Sequence, residues 1–422
     1  MKVKVALVAA VGAMVLACPP TPLAFAAPPP VTTPVTDHCP HRTGTPPAVD
    51  ESEVVAPGSA TPAPLPVPST PVGGAPLAGC GVVADPASGP VPARMTAAGW
   101  LIADLDSGAV IAAKDPHGRY RPASTIKVLL AMVALDELDL DTVVVPTPED
   151  WGAEGDSCGM GPGGHYTNRD LLTGLLVVSG NDCANALARE LGGIDVTLAK
   201  MNDKARSLHA LDTRAASVSG LDAAGMSTSP YDLAVIFREA MRNNTFRELI
   251  AMPTYRFPGY PRRADVPGDK DHPSYLMQTS NQLLLEGYPG MVGGKTGYTD
   301  DARKTFVGVT ERDGRRIVIV QMFGLTVEAD SYWDQAKAMF DYGFRAPPGI
   351  TLGSLAPTST ATTVQETTAP AVPTTATPHQ VVTATGSDHQ ATGWSVRILI
   401  GLISALVAVI LLLIAMRLFT RR

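Results

Sequence analysis

Hydrophobic positions fall into three patterns along the chain, and each predicts a different kind of element. Short apolar runs at 98–104 and 109–113, separated by Leu105-Asp106-Ser107-Gly108, read as two strands joined by a hairpin turn. Next, Val128, Leu129, Ala131, Met132 and Leu135 recur at helical spacing behind Pro122, a residue suited to a helix start. Helical patterning resumes over 168–178 and 182–191, broken by a bend at Ser179-Gly180-Asn181, and again over 231–242 behind Ser229-Pro230. Runs at 291–296, 305–310 and 316–324 read as strands, the last two linked by Arg312-Asp313-Gly314-Arg315. A helix over 330–342 closes the domain on the sheet, and glycine-rich 152–164 is a surface loop. Two early strands, a helical middle and three late strands predict an α+β domain over 95–345. Its core is one antiparallel sheet flanked by helices, with a helical subdomain.

The third pattern is the unbroken apolar run. Residues 5–17 form one behind Met1-Lys2-Val3-Lys4, and Ala24-Phe25-Ala26 supplies small residues for cleavage, so 1–26 reads as a signal peptide. A second run, 398–416, has 19 apolar residues, close to the number that crosses a bilayer. With Trp394 at one interface and Arg417, Arg421 and Arg422 beyond the other, 394–416 is expected to span a cell membrane. The folded domain then lies outside the cytoplasm and 417–422 inside. Between these features, 27–94 is rich in Pro, Val, Thr, Ala and Gly without a period, and reads as an extended, linker-like or wall-spanning segment. Low-complexity 346–393 reads as a stalk.

Composition narrows the function. The net charge of −7 and export both argue against nucleic acid as a partner. Loss of Cys18 with the signal peptide leaves four cysteines, an even number that favours two disulfides in an exported chain. Three connectivities are open; the pairing expected is Cys39–Cys80 and Cys158–Cys183. His38-Cys39-Pro40-His41 has no second ligand pair at a usual spacing, so no metal site is expected.

The candidate chemistry starts at Ser124-Thr125-Ile126-Lys127. Residues three apart share a helix face, so Lys127 Nζ can reach Ser124 Oγ and serve as its base once neutral. Burial and a second positive charge would both lower the lysine pKa. A serine in a first helical turn also brings an unpaired N–H, half of an oxyanion hole. Alone, such a motif is expected by chance in a chain of this length. Two more follow in order: Ser179-Gly180-Asn181 and Lys295-Thr296-Gly297.

In that order the three motifs resemble the penicillin-recognising serine enzymes, over roughly residues 95–345. Ser219-Gly220-Leu221-Asp222, Ser227–Ala234 and Gly290–Thr299 look more narrowly like the low-molecular-weight D-alanyl-D-alanine carboxypeptidases. The resemblance implies a β-lactamase/transpeptidase-like fold and a serine carboxypeptidase acting on peptidoglycan stem peptides that end in D-Ala-D-Ala. It further implies acylation by β-lactams and no cofactor. By the same resemblance Ser124 is the nucleophile, Lys127 its base, Ser179 a proton relay, and Asn181 a partner of Lys127 and of the substrate backbone. Lys295, Thr296, Gly297 and Thr299 would bind substrate, and the N–H groups of Ser124 and Tyr298 would form the oxyanion hole. Arg303 is read as a solvated strand-end residue rather than a carboxylate partner.

Many members of that subfamily carry a further β-rich domain, which this chain replaces by the stalk. Two other readings compete. A class A-like β-lactamase needs a glutamate-bearing loop, but 213–228 holds only Asp222 and no Glu-x-x-Leu-Asn. A non-catalytic wall-binding or β-lactam-sensing protein would have to signal through 417–422, which is too short. Gly294-Lys295-Thr296 also echoes a phosphate-binding loop, but Pro289 stands where that loop needs glycine.

Overall fold

The structure, a computed structural model, describes residues 35–325 and 332–355. The signal peptide, most of the stalk, the expected membrane span and the tail lie outside the described residues.

In chain order the strands are β1 (Val82–Ala84), β2 (Gly99–Asp104), β3 (Val110–Lys114), β4 (Val143–Val144), β5 (Tyr166–Thr167), β6 (Thr254–Phe257), β7 (Tyr275–Gln278), β8 (Met291–Thr299), β9 (Arg303–Arg312) and β10 (Arg315–Gly324). The helices are α1 (Lys127–Glu137), α2 (Pro148–Trp151), α3 (Asn168–Val177), α4 (Asn181–Glu190), α5 (Ile194–Ser207), α6 (Pro230–Ala240), α7 (Asn244–Ile250), α8 (Gln282–Leu285) and α9 (Tyr332–Arg345). Six strands form the main sheet in the order β1, β3, β2, β10, β9, β8, with every neighbouring pair antiparallel. Strands β4 and β5, and strands β6 and β7, make two separate two-stranded pairs.

Side chains alternate across the central strands, as a sheet covered on both faces requires. Trp100, Ile102, Ile317 and Ile319 face α9, whereas Leu101, Ala103, Val318 and Val320 face the main core. Helix α6 packs there on β2 and β10, its start capped by Ser229 Oγ accepting from the Asp232 N–H. Helix α1 lies deeper than its apolar stripe suggests. Residues 127–134 are all buried, so it is enclosed on every side by α3, α5, α6 and α7.

The expected domain boundaries, 95 and 345, are both too narrow. Residues 35–94 are not a free linker. Strand β1 is an edge of the main sheet, paired with β3, and Leu77 and Thr36 are buried. Cys39–Cys80 closes a loop of 41 residues, worth about 4 kcal/mol in lost unfolded-chain entropy. This strap is held largely through its own carbonyls. Arg119 donates to those of Thr43, Leu65 and Pro66 at 3.2, 2.7 and 2.9 Å. Arg121 donates to Pro46 O at 2.7 Å, and Arg214 to Ala63 O at 2.8 Å. His117 bridges Val72 O at 3.0 Å and Asp212 Oδ2 at 2.9 Å. At the other end the chain continues past 345. Val110 donates to Gly353 O, Leu352 to Val110 O and Leu355 to Gly108 O, which fastens 352–355 beside β3.

Candidate active site

Ser124 sits not on α1 but on the 3-10 turn Ala123–Ile126 that leads into it. The turn is fixed from below by Pro122 O, which accepts from Thr125 Oγ1 at 2.6 Å and from Thr305 Oγ1 of β9 at 2.8 Å. Ala123 is left-handed, with φ 47°. Two glycines press against the turn where no side chain would fit. A Cβ on Gly220 would stand 2.2 Å from Ala123 O, and one on Gly297 would stand 2.8 Å from Ser124 N. The close approach at Gly297 is what lets the Lys-Thr-Gly strand lie along the nucleophile.

Lys127 is fully buried, and its Nζ lies 2.8 Å from Ser124 Oγ, 3.2 Å from Ser179 Oγ and 2.6 Å from Asn181 Oδ1. Burial, and then the positive charge of Lys295, hold its pKa well below the usual lysine range, with Asp156 and Asp182 opposing. Lys295 is also buried, and burial lowers it to about 7 against the pull of Asp156. A neutral Lys127 has a lone pair for the Ser124 proton and two N–H bonds for Ser179 and Asn181. The arrangement therefore suits deprotonation of Ser124 near neutral pH.

The Ser179-Gly180-Asn181 bend turns sharply into α4, with Ser179 left-handed at φ 66°. The Asn181 amide is oriented from the opposite side. Its Nδ2 donates to Glu154 O at 2.5 Å, and its backbone N–H donates to Asp156 O at 2.6 Å. Both acceptors belong to the glycine-rich loop, which is tied to α4 by Cys158–Cys183 and by the buried carboxylate of Asp182. Asp182 accepts from Cys158 N–H at 2.7 Å, Ser157 O–H at 2.6 Å and Met160 N–H at 3.3 Å. The sequence reading missed Asp182, Asp156 and the Glu154 carbonyl. An acid directly after the Ser-x-Asn motif was the available signal for the first of them.

Lys295 reaches into the site while its Nζ donates to Thr296 O at 2.8 Å. Tyr298 brings only its backbone. Its ring is 57% exposed and its hydroxyl donates to Asp300 Oδ1 at 2.9 Å. Thr299 Oγ1 accepts from Ala302 N–H at 2.9 Å, so it is engaged in the turn that follows β8. Arg303 is the first residue of β9, as the strand-end reading expects, but its side chain is half-buried rather than fully solvated. Residues His117, Asp212 and Asp232 cluster like metal ligands, but the Arg119 guanidinium already fills that cluster at 3.2 Å from Asp212 Oδ1.

The family model described as D-alanyl-D-alanine carboxypeptidase matches residues 86–325. The chain belongs to the D-alanyl-D-alanine carboxypeptidase family. A family member, D-alanyl-D-alanine carboxypeptidase DacB2 of Mycobacterium tuberculosis, is 51% identical over 259 residues, covering 61% of this chain and 85% of the relative. DacF of Bacillus subtilis is 27% identical over 250 residues, covering 58% of this chain and 61% of the relative. The crystal structure of a D-alanyl-D-alanine carboxypeptidase from M. tuberculosis H37Rv superposes with a TM-score of 0.58 at 49% identity, over 63% of this chain and 97% of that one. The Streptomyces K15 DD-transpeptidase superposes with a TM-score of 0.54 at 25% identity, over 60% and 99%. The carboxypeptidase family thus supplies both the α+β fold and the serine peptidase class of this chain.

Proposed function

We propose that the protein removes the terminal D-alanine from peptidoglycan stem pentapeptides through an acyl-enzyme on Ser124. The observation that carries this reading is the Lys127 amine, shut off from water 2.8 Å from Ser124 Oγ beside a second buried lysine. Ser124 Oγ attacks the carbonyl of the penultimate D-alanine while its proton passes to Lys127 Nζ. Charge on the carbonyl oxygen is met by the N–H groups of Ser124 and Tyr298. The C–N bond then breaks, and the leaving amine takes a proton from Lys127 by way of Ser179. Water hydrolyses the ester and frees the enzyme. Protonated Lys295, with Thr296, would hold the substrate carboxylate.

The stretch 213–228 holds Asp222 but no Glu-x-x-Leu-Asn to activate a deacylating water, which favours a long-lived penicillin ester over β-lactamase turnover. The test is the intact mass of the protein with benzylpenicillin, beside Ser124→Ala, followed by a D-alanine release assay. A persistent adduct and D-alanine release, both absent from the variant, are expected. Rapid penicillin hydrolysis without an adduct would move the protein to the β-lactamases. No adduct and no product from folded protein would leave a wall-binding role.

The same reading places the protein on the outer face of the cell membrane, held by 394–416. Its support is the apolar run 398–416 with arginines after it. No helix among the described residues is long and apolar enough to cross a membrane. Release of the protein from membranes by alkaline carbonate would overturn the anchor.

A further inference from the structure

The glycine-rich loop has a second side. Its 154–156 segment supplies the carbonyls that hold Asn181, whereas its two ends border a cavity of about 550 Å³. That volume lies within the usual range for small-molecule sites. The cavity is lined by Pro148 and Trp151 of α2, by Pro162 of the loop, and by Pro261, Arg262, Arg263 and Asp265 of the β6–β7 connection. The glycine-rich loop is locked to the β6–β7 side of the cavity. The Tyr260 ring covers Gly161, Pro261 covers Gly163, and Tyr275 donates its hydroxyl to Cys158 O at 2.5 Å.

Two polar groups on this cavity are unused. The indole N–H of half-buried Trp151 and the guanidinium of Arg262 have no hydrogen-bond partner among the described residues, whereas Arg263 is paired with Asp265 at 2.6 Å. An apolar wall of proline and indole, edged by a free N–H and a free cation, suits a ligand with a C–H face and carbonyl or carboxylate acceptors at its rim.

The geometry points to a subsite for the N-acetylhexosamine that carries the stem peptide. This inference rests on the carboxypeptidase reading and adds a second part of the substrate to it. The reach agrees. Trp151 is three residues from Glu154, whose carbonyl holds Asn181, so the cavity begins within about 11 Å of the catalytic asparagine's support. Four stem residues separate the scissile bond from the sugar, about 13–14 Å when extended. A stem peptide with its last D-alanine at Lys295 and its scissile bond at Ser124 is of comparable length, and one that leaves the site past the glycine-rich loop brings its sugar to this cavity. The hexose face packs on the indole, the acetamido oxygen accepts from Trp151 Nε1–H, and Arg262 donates to the acceptors where the sugar joins the peptide.

The test compares kcat/KM of the full chain on an N-acetylmuramyl pentapeptide and on the same pentapeptide without sugar. The ratio of the two cancels any general loss of activity. We expect the wild type to prefer the sugar-bearing substrate by about tenfold or more. The ratio should fall toward one in Trp151→Ala, fall severalfold in exposed Arg262→Ala, and be largely kept in Trp151→Phe. A wild-type ratio of one, or a ratio preserved in both alanine variants, overturns the subsite. Failure of the wild type to release D-alanine from either substrate or to form a penicillin adduct overturns the carboxypeptidase reading instead.

Discussion

In the catalytic pocket the contacts run from side chain to side chain: Lys127 meets Ser124, Ser179 and Asn181, and each partner type is needed for its chemistry. In the strap, residues 35–94, they run from arginines of the domain, buried Arg119 and Arg121 and half-buried Arg214, to main-chain carbonyls of Thr43, Pro46, Ala63, Leu65 and Pro66. Every residue carries a carbonyl, so at these positions the strap needs a path rather than a sequence, while the domain needs its arginines. The strap's own side chains matter at Glu53, which pairs with Arg121, at Ser52, which donates to Asp301, and at Cys39–Cys80. The two regions therefore differ in where a substitution is felt.

Arg119→Ala should break the comparison on the strap side with the largest effect. It removes three strap contacts and a buried partner of Asp212, at a cost of about 3–5 kcal/mol in stability. Denaturant melts should show that loss, and Pro66→Ala, which keeps its carbonyl, should stay within about 0.5 kcal/mol. Penicillin acylation per folded molecule should be unchanged by either. Equal losses from both would mean that strap side chains at these positions matter after all.

Asp182→Asn should act on the pocket side. The amide cannot accept all the bonds that hold the glycine-rich loop, so the Glu154 and Asp156 carbonyls shift and Asn181 with them. A misplacement of about 1 Å lowers kcat/KM by about 10- to 100-fold. The lost negative charge also lets the Lys127 pKa fall further, moving the acid limb of the kcat/KM profile to lower pH. A loss of stability with no change in that limb would reduce Asp182 to a structural role.

Lys295→Arg gives the smallest and most specific effect. With Lys295 at about 7, its charge and the grip on the substrate carboxylate fade as pH rises through that value, giving kcat/KM an alkaline limb there. Arginine stays charged, so the variant should lose a few-fold at neutral pH while that limb moves to higher pH. An alkaline limb that stays near 7 in the variant would assign it to another group.

What could be read beforehand follows the same division. The three motifs are legible because chemistry fixes residue types, and the strands of the sheet because their buried faces are apolar. Helix α5 was missed because it buries only Thr197, Met201 and Ala205, too thin a stripe to register. The β6–β7 pair was missed because its residues are mostly exposed. Asp182 was passed over, although it directly follows the Ser-x-Asn motif, because its oxygens serve N–H and O–H groups of a distant loop, and the strap because carbonyls have no letter in the sequence.

The run 352–355 has a mechanical consequence. Any pull on the chain beyond residue 355 is met by bonds from Leu352, Gly353 and Leu355 to the β2–β3 turn, and by Ser354 N–H to Gly73 O in the strap. Tension along the tail is therefore taken up jointly by the sheet edge and the strap. It enters the domain without passing through the 3-10 turn that carries Ser124. A tethered molecule stretched from its C-terminal side should give way first at 352–355, and should keep its nucleophile in place while it does.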